Sequence, residues 1–291
     1  MSVIRVGSRD SKLAVIQAQM VIDAIKKYDP SLQTELITMK TTGDKILNMT
    51  LDAIGGKGLF IKELDEALLN GLVDITVHSF KDMPMELPEQ LPIVALSERE
   101  DPRDVLIYPE GIQYPGKPAG CSSKRRTIQL KELGFQNTAP LRGNVLTRLK
   151  KLDEGEYSAI VLAAAGIKRL GLKDRINRYF DTEEIMPAAC QGIIAVQARK
   201  GENTEYLSLF HSEASRIVSD AERAFVTALE GGCSSPIAAY AVIEKEQLVL
   251  KGMYVSEETG QIRKGMLRGN HTDGILIGKE LARQLKQEGM H

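Results

Sequence analysis

The stretch 3-VIRVGSRDSKLAVIQAQMVIDAIKKYDPSLQTELITMK-40 decides the fold class. Residues 3–7 are short, apolar and β-branched, as a buried strand requires. From residue 11 the period changes. Leu13, Ile16, Met20, Val21, Ala24 and Ile25 recur at helical spacing, with Asp10 or Ser11 placed to cap the first turn. A second strand, 34-TELITMK-40, follows. Further out, 55-GGKG-58 reads as a glycine turn, 60-FIKELDEALLN-70 as a helix stopped by Gly71, and 73-VDITVHS-79 as a third strand. Strands alternating with helices predict an α/β domain with a largely parallel sheet.

The same grammar restarts after 97-SEREDPRD-104, a charged, proline-containing segment that reads as a boundary. Strand 105–108, helices 124–133 and 145–154, strand 158–165 and helix 166–172 make a second α/β unit. Beyond about residue 214 the pattern turns antiparallel. A helix at 215–230 precedes strands at 236–243, 247–255 and 262–269, divided by the turn signals EKE and EETG, and a helix at 276–287 closes a small α+β domain. No fixed-period repeat and no low-complexity tract occurs.

Composition excludes several function classes. The 291 residues are 43% hydrophobic and 26% charged, with a net charge of −1, so nothing drives the whole chain toward nucleic acid or an acidic membrane. The start, MSVIRVGSRDS, lacks a basic segment followed by an apolar one, and no membrane-length apolar run occurs, so a cytoplasmic protein is expected. Cys121, Cys190 and Cys233 are odd in number and far apart, and the four histidines stand at no metal-ligand spacing from them. Neither a disulfide framework nor a structural zinc site is expected.

Charge is concentrated locally. Between Cys121 and Lys151 stand eight basic residues and one acid, Glu132, so that segment carries +7 and the other 260 residues carry −8. Lys131, Lys150 and Lys151 read as a solvated helix face. The arginines are placed differently. In 120-GCSSKRR-126, Ser122 and Ser123 are N-cap candidates, which puts Arg125 and Arg126 in the first turn of a helix. Cations there oppose the helix dipole unless an anion is supplied. In 141-LRGNVLTRL-149, Asn144 is a second N-cap, with Arg142 outside it and Arg148 one turn in. Nucleic acid fits poorly, because the segment has one aromatic residue, Phe135, and no stacking platform. A nucleotide loop fails because Gly58 stands in 55-GGKGLF-60 where a P-loop needs Ser or Thr. A polycarboxylate remains, held by planar guanidinium groups.

Two further stretches carry chemistry. The segment 77-VHSFKDMPMELP-88 ends a strand, where ligands of α/β domains sit, and so places Lys81 and Asp82. Asp82 also suits a turn residue before a proline, and His78 reads as a hydrogen-bonded structural group. In 229-LEGGCSSPIAAY-240, paired glycines at a helix end allow positive φ and present Cys233 on a loop. Taken alone, that thiol is either a small buried hydrophobe or a functional group.

Nine ordered stretches then identify a family: 5-RVGSRDSKLAVIQ-17, 55-GGKGLFIKEL-64, 78-HSFKDMP-84, 99-REDPRD-104, 122-SSKRR-126, 142-RGNVLTRL-149, 161-VLAAAGIKRLGL-172, 187-PAACQG-192 and 230-EGGCSSPI-237. Over essentially its whole length the chain resembles the hydroxymethylbilane synthase (porphobilinogen deaminase) family. The resemblance implies a transferase that joins four porphobilinogen molecules head to tail, releasing ammonia each time, and frees a linear tetrapyrrole with water. It implies a dipyrromethane cofactor held by a thioether on Cys233. It implies that Asp82, with Lys81 beside it, is catalytic, as a buried carboxylate that bonds pyrrole N–H groups and moves protons. Ser122, Ser123, Arg125 and Arg126 would hold cofactor carboxylates, with Arg148 between cofactor and incoming ring. Arg9, Ser11, Gln17, Arg142 and Arg169 would bind substrate, and Lys57 would belong to a mobile glycine loop over the site.

The family fold implies two domains like periplasmic binding proteins, with a hinge crossed twice, and a third domain carrying the cysteine loop. The expected partition is 1–97 with 190–212, 98–189, and 213–291. The expected partners are porphobilinogen and the growing oligopyrrole, with no nucleic acid, membrane or metal, and the expected state is a monomer. The chain departs from the family pattern at Cys121 for threonine, Lys124 for leucine and Cys190 for glycine. Two other readings compete. A solute-binding or ligand-sensing protein of the same fold would need neither a tethering thiol nor Asp82. A cysteine hydrolase would need Cys233 and His78 to meet.

Overall fold

A computed structural model describes residues 3–45, 61–231, 235–256 and 259–287. By its contacts the chain divides into two compact units, Met1–Glu100 with Ile193–Ser215, and Asp101–Gly192 with Arg216–His291.

The first unit opens with β1 (Val3–Arg9), α1 (Lys12–Tyr28) and β2 (Gln33–Met39). Ser11 is the cap of α1, its side chain accepting from Ala14 N at 3.4 Å. The face that α1 buries is Ala14, Gln17, Ala18, Val21, Ile22 and Ile25, so the stripe is rotated from the expected one and Met20 is exposed. Two alanines let the helix lie close to the sheet, and Gln17 can be buried because it finds a polar partner there. A short helix α2 (Thr42–Lys45) and α3 (Lys62–Leu69) precede β3 (Ile75–Ser79), a single 3-10 turn at Phe80–Asp82, and β4 (Ile93–Leu96). β1 runs parallel to both β2 and β3.

In the second unit, β5 (Asp104–Ile107), β6 (Ala119–Gly120), α4 (Lys124–Glu132), β7 (Thr138–Ala139), α5 (Val145–Asp153), β8 (Ala159–Ala163), α6 (Ala164–Arg169) and β9 (Arg178–Tyr179) follow in order. They build a five-stranded sheet, β7-β6-β8-β5-β9. β6 is parallel to β7 and β8, whereas β5 is antiparallel to β8 and β9. Alternate residues of the central strands serve two cores. Val105, Ile107, Ile160 and Leu162 face Leu149 and Leu152, while Leu106 and Val161 face Leu130 and Phe180. Burial on both sides explains why these strands read as continuous apolar runs.

The chain then returns to the first sheet with β10 (Ile194–Ala198), which inserts antiparallel between β3 and β4 to give the order β2-β1-β3-β10-β4. Each of these two sheets has four strands running one way and one against them: β10, the last to enter the first sheet, and β5, the first strand of the second. α7 (Glu213–Ala228) leads to β11 (Ala238–Glu244), β12 (Gln247–Val255) and β13 (Ile262–Asn270), an antiparallel meander closed by α8 (Gly274–Gln287). Helix α7 packs on that sheet through Gly252, where an added Cβ would stand 2.5 Å from Phe225 Cζ.

Candidate functional site

In the first unit the candidate residues gather at one end of the sheet. β1 and β3 are adjacent and parallel, with Gly7 opposite Thr76, so their carboxyl ends open on the same edge. Arg9 ends β1, Ser11 caps α1, and Lys81 and Asp82 fill the 3-10 turn that follows β3. Asp82 is exposed rather than buried, which corrects the expectation; its carboxylate faces solvent at the strand end. Gln17 is buried, and its Nε2 donates to Ser79 Oγ at 2.9 Å while the hydroxyl lies 3.1 Å from Gln17 Oε1. Ser79 was not among the candidates. It completes the polar pair that lets α1 set a glutamine against the sheet two residues before Lys81.

His78 is buried with its Nε2 2.9 Å from Thr76 Oγ1. Burial above all, and then the nearby Arg9 cation, draw its pKa down to about 3. The ring is therefore neutral at physiological pH and cannot serve as a cationic acid there. That agrees with a structural histidine and gives no support to a Cys233–His78 hydrolase.

In the second unit the candidates again sit at the carboxyl ends of parallel strands, the usual ligand position in such sheets. β6 ends into Cys121–Ser123 and α4, β7 ends into the Arg142 turn and α5, and β8 ends into α6. Ser123 is the α4 cap, its side chain accepting from Arg126 N at 3.5 Å. Ser122 makes a local contact. Its hydroxyl donates to Leu141 O at 2.7 Å and accepts from Leu141 N at 2.7 Å, which locks the β6 end to the β7 end. Asn144 caps α5 through Thr147 N at 3.0 Å, and Arg148 Nε donates to Gly143 O at 2.7 Å. Gly143 is required there: its φ is +113, and an added Cβ would stand 2.7 Å from Thr147 Cγ2. Arg169 Nη2 donates to Gly192 O at 2.7 Å.

Arg125 and Arg126 are buried, and the anion expected at this helix start is present inside the protein. Asp104 pairs with both guanidinium groups, at 2.8 Å and 2.7 Å. Sequence reasoning passed over Asp104 because 99-REDPRD-104 reads as a charged boundary. The available signal was an aspartate directly preceding an apolar strand.

Cys233 and Lys57 lie outside the described residues. Among the described residues just before Cys233, Glu230 holds the left-handed region with φ of 58°, and Gly232, the second glycine of the pair, lies outside the described residues. Gly231 is needed for space, since an added Cβ would stand 2.3 Å from Ile237 Cδ1. Glu222 of α7 is fully buried and accepts from Cys190 N at 2.6 Å and Ala241 N at 2.7 Å. Cys190 itself holds φ of 62°, the conformation that explains why glycine is usual at this place. Among the described residues, no group of His, Cys, Asp and Glu side chains could hold a metal ion, and no helix is long and apolar enough to cross a membrane.

Comparison with known proteins covers the whole chain. Residues 4–206 match the family model described as "Porphobilinogen deaminase, dipyromethane cofactor binding domain", and residues 217–287 match "Porphobilinogen deaminase, C-terminal domain". A Ruminiclostridium josui protein named porphobilinogen deaminase is 62% identical over 288 residues, covering 98% of each chain. One of the same name from Ruminiclostridium cellulolyticum is 61% identical over 289 residues, again covering 98% of each. Among solved structures, the periplasmic VFT2 domain of Bordetella pertussis BvgS aligns with a TM-score of 0.42 at 14% identity, over 71% of this chain and 84% of that one.

Proposed function

This chain belongs to the porphobilinogen deaminase family, and from that membership we propose how its residues divide the work. The enzyme is a transferase of tetrapyrrole biosynthesis: it deaminates four porphobilinogen molecules, joins them head to tail on a dipyrromethane primer and releases hydroxymethylbilane. The bound dipyrromethane supplies the nucleophilic pyrrole terminus from which the oligomer grows. Its tether is the sulfur of Cys233.

Every pyrrole ring carries an acetate and a propionate, so each addition brings two negative charges to a protein whose own net charge is −1. The donor chemistry suits that load. Guanidinium groups at the strand ends can take carboxylates bidentately. Ser122, Ser123, Arg125 and Arg126 would hold carboxylates of the primer, and Arg148 would lie between primer and incoming ring. Arg9, Ser11, Gln17, Lys57, Arg142 and Arg169 receive substrate. Leu141 also engages the Ser122 hydroxyl, so Ser122 fixes the turn that carries Arg142 as well. Asp82, an exposed carboxylate at the end of a strand, accepts pyrrole N–H groups, stabilises positive charge as it develops and holds the transferred proton, with Lys81 beside it.

The domains are 1–97 with 190–212, 98–189, and 213–291. The protein works as a cytoplasmic monomer, without metal, nucleic acid or membrane. The observation that carries this reading is the pair of family matches spanning both parts of the chain. Intact mass spectrometry tests it. The purified protein is expected to exceed its sequence mass by one dipyrrole, and Cys233→Ser is expected to lose that excess. A catalytically active protein of unmodified mass would refute the tether.

A further inference from the structure

Asp104 is the first residue of β5 and has no solvent exposure. An isolated carboxylate there would be strongly disfavoured, and three side chains compensate it. Its Oδ2 accepts from Arg125 Nη2 at 2.8 Å, and its Oδ1 from Arg126 Nη2 at 2.7 Å and Gln191 Nε2 at 2.8 Å. The guanidinium groups are held a second time by backbone, Arg125 Nη1 donating to Met186 O at 2.6 Å and Arg126 Nη1 to Val161 O at 3.3 Å. Gln129 brackets the same peptide, accepting from Met186 N at 2.8 Å and donating to Met186 O at 3.2 Å. One carboxylate thus joins the start of α4 to β5, β8 and the segment before β10.

Two guanidinium groups and one carboxylate leave +1, buried in the first turn of a helix whose dipole adds positive potential. Without Asp104 the site would hold +2, and each guanidinium group would be left with a backbone carbonyl to orient it. With it, both planar groups stand ready and one unit of charge is left to meet a ligand carboxylate.

We infer that Asp104 is a positioning residue for oligopyrrole binding: it orients Arg125 and Arg126 before the ligand arrives and sets their joint charge to match one ligand carboxylate. The inference rests on the reading of those arginines as carboxylate ligands. It separates from a scaffold role in a measurable way. A scaffold residue lowers stability and leaves the folded fraction able to load the primer, whereas a positioning residue weakens loading in protein that has folded.

The test loads unmodified wild-type, Asp104→Asn and Asp104→Glu proteins with porphobilinogen. The loaded fraction is followed by intact mass, the folded fraction by circular dichroism. Per folded molecule, Asp104→Asn is expected to need about tenfold more porphobilinogen or beyond for half-loading, the worth of a charged hydrogen bond. Inorganic phosphate is expected to inhibit loading of that variant at concentrations that leave wild type unaffected, because its arginine pair now carries +2. Asp104→Glu, which keeps the charge and misplaces it by one methylene, is expected to fall between the two. Wild-type half-loading and phosphate tolerance in Asp104→Asn would overturn the inference. If that chain does not fold, wild-type half-loading in Asp104→Glu overturns it equally. A wild-type protein that never gains dipyrrole mass would instead defeat the tether, a distinct outcome.

Discussion

Replacing Gly278 by alanine puts one methyl group where α8 crosses α7. An ideal Cβ would stand 2.4 Å from Ala221 O, 2.9 Å from Ala224 Cβ and 2.9 Å from Phe225 N. Ordinary C···O contact begins near ~3.3 Å, and two of these neighbours are helix backbone that cannot swing aside, so α8 must withdraw by about 1 Å. A gap of that size forfeits about a quarter to a half of the dispersion contact across the facing surfaces. The shift also loosens Ile277, Leu281 and Leu285, which are buried against Gly269, Gly252 and Gly265 of the sheet, and burying each is worth about 1.5–3 kcal/mol. A quarter of the three together comes to about 1–2 kcal/mol. Residual overpacking adds about 1 kcal/mol, and the better helix propensity of alanine returns about the same amount. The net destabilisation is about 1–2 kcal/mol, a fall in Tm of about 3–6 °C for a domain of this size.

Gly274, one turn earlier on α8, supplies the control. Its added Cβ would meet Ile217 O at 3.3 Å and side-chain atoms of Ala221 and Leu248 at 3.4 Å, contacts that a slight adjustment relieves. Gly274→Ala is expected to melt within about 0.5 kcal/mol of wild type. Circular dichroism melts of the three proteins, matched for primer content, settle the comparison. If Gly278→Ala melts at or above wild type, the packing account of this helix pair is wrong.

Two other outcomes follow from the first unit. Asp82→Asn, an exposed change, is expected to keep the melting curve and lower kcat by about 10²-fold or more; turnover near normal would remove Asp82 from the chemistry. His78 has its pKa drawn down to about 3 from 6.5, so between those values the unfolded chain binds the extra proton, and stability from the neutral ring is present above pH 6.5 and lost as pH falls toward 3. Denaturant melts of His78→Gln across pH 4–7 are therefore expected to show a shallower loss of stability on acidification than wild type, and equal slopes would contradict a neutral buried imidazole.

Local patterning made most of the elements legible. The caps at Ser11 and Asn144, the helical segments and the strands of the C-terminal meander each depend on residues close in sequence. What escaped depends on partners far along the chain. β10 is five consecutive buried residues without alternation, and it is a strand because β3 and β4 leave a slot for it. The two-residue strands β6, β7 and β9 carry too few residues for any period. Gln17 joins the buried face of α1 with Ser79, 62 positions away, accepting from its amide. A helix-face argument has no means of anticipating that bond.

The arginines show where charge reasoning succeeds and where it needs a second condition. A cation in the first turn of a helix does call for an anion, and Arg125 and Arg126 have one. Sequence gives no sign of whether the anion comes from the solvent side or from the fold; burial decides. Arg125 and Arg126 are buried, whereas Arg9, Arg142, Arg148 and Arg169 keep part of their surface in solvent. These are two kinds of cation with two physical roles. The buried pair is already desolvated, and both of its guanidinium groups are paired with Asp104. Of the partly exposed four, Arg148 and Arg169 are each held by a backbone carbonyl and keep other N–H groups, so a ligand bound there, as proposed, would displace water at a partly set geometry. On the proposed assignment the buried pair would grip the part of the polyanion that stays in place, and the partly exposed arginines would meet the rings that arrive in succession.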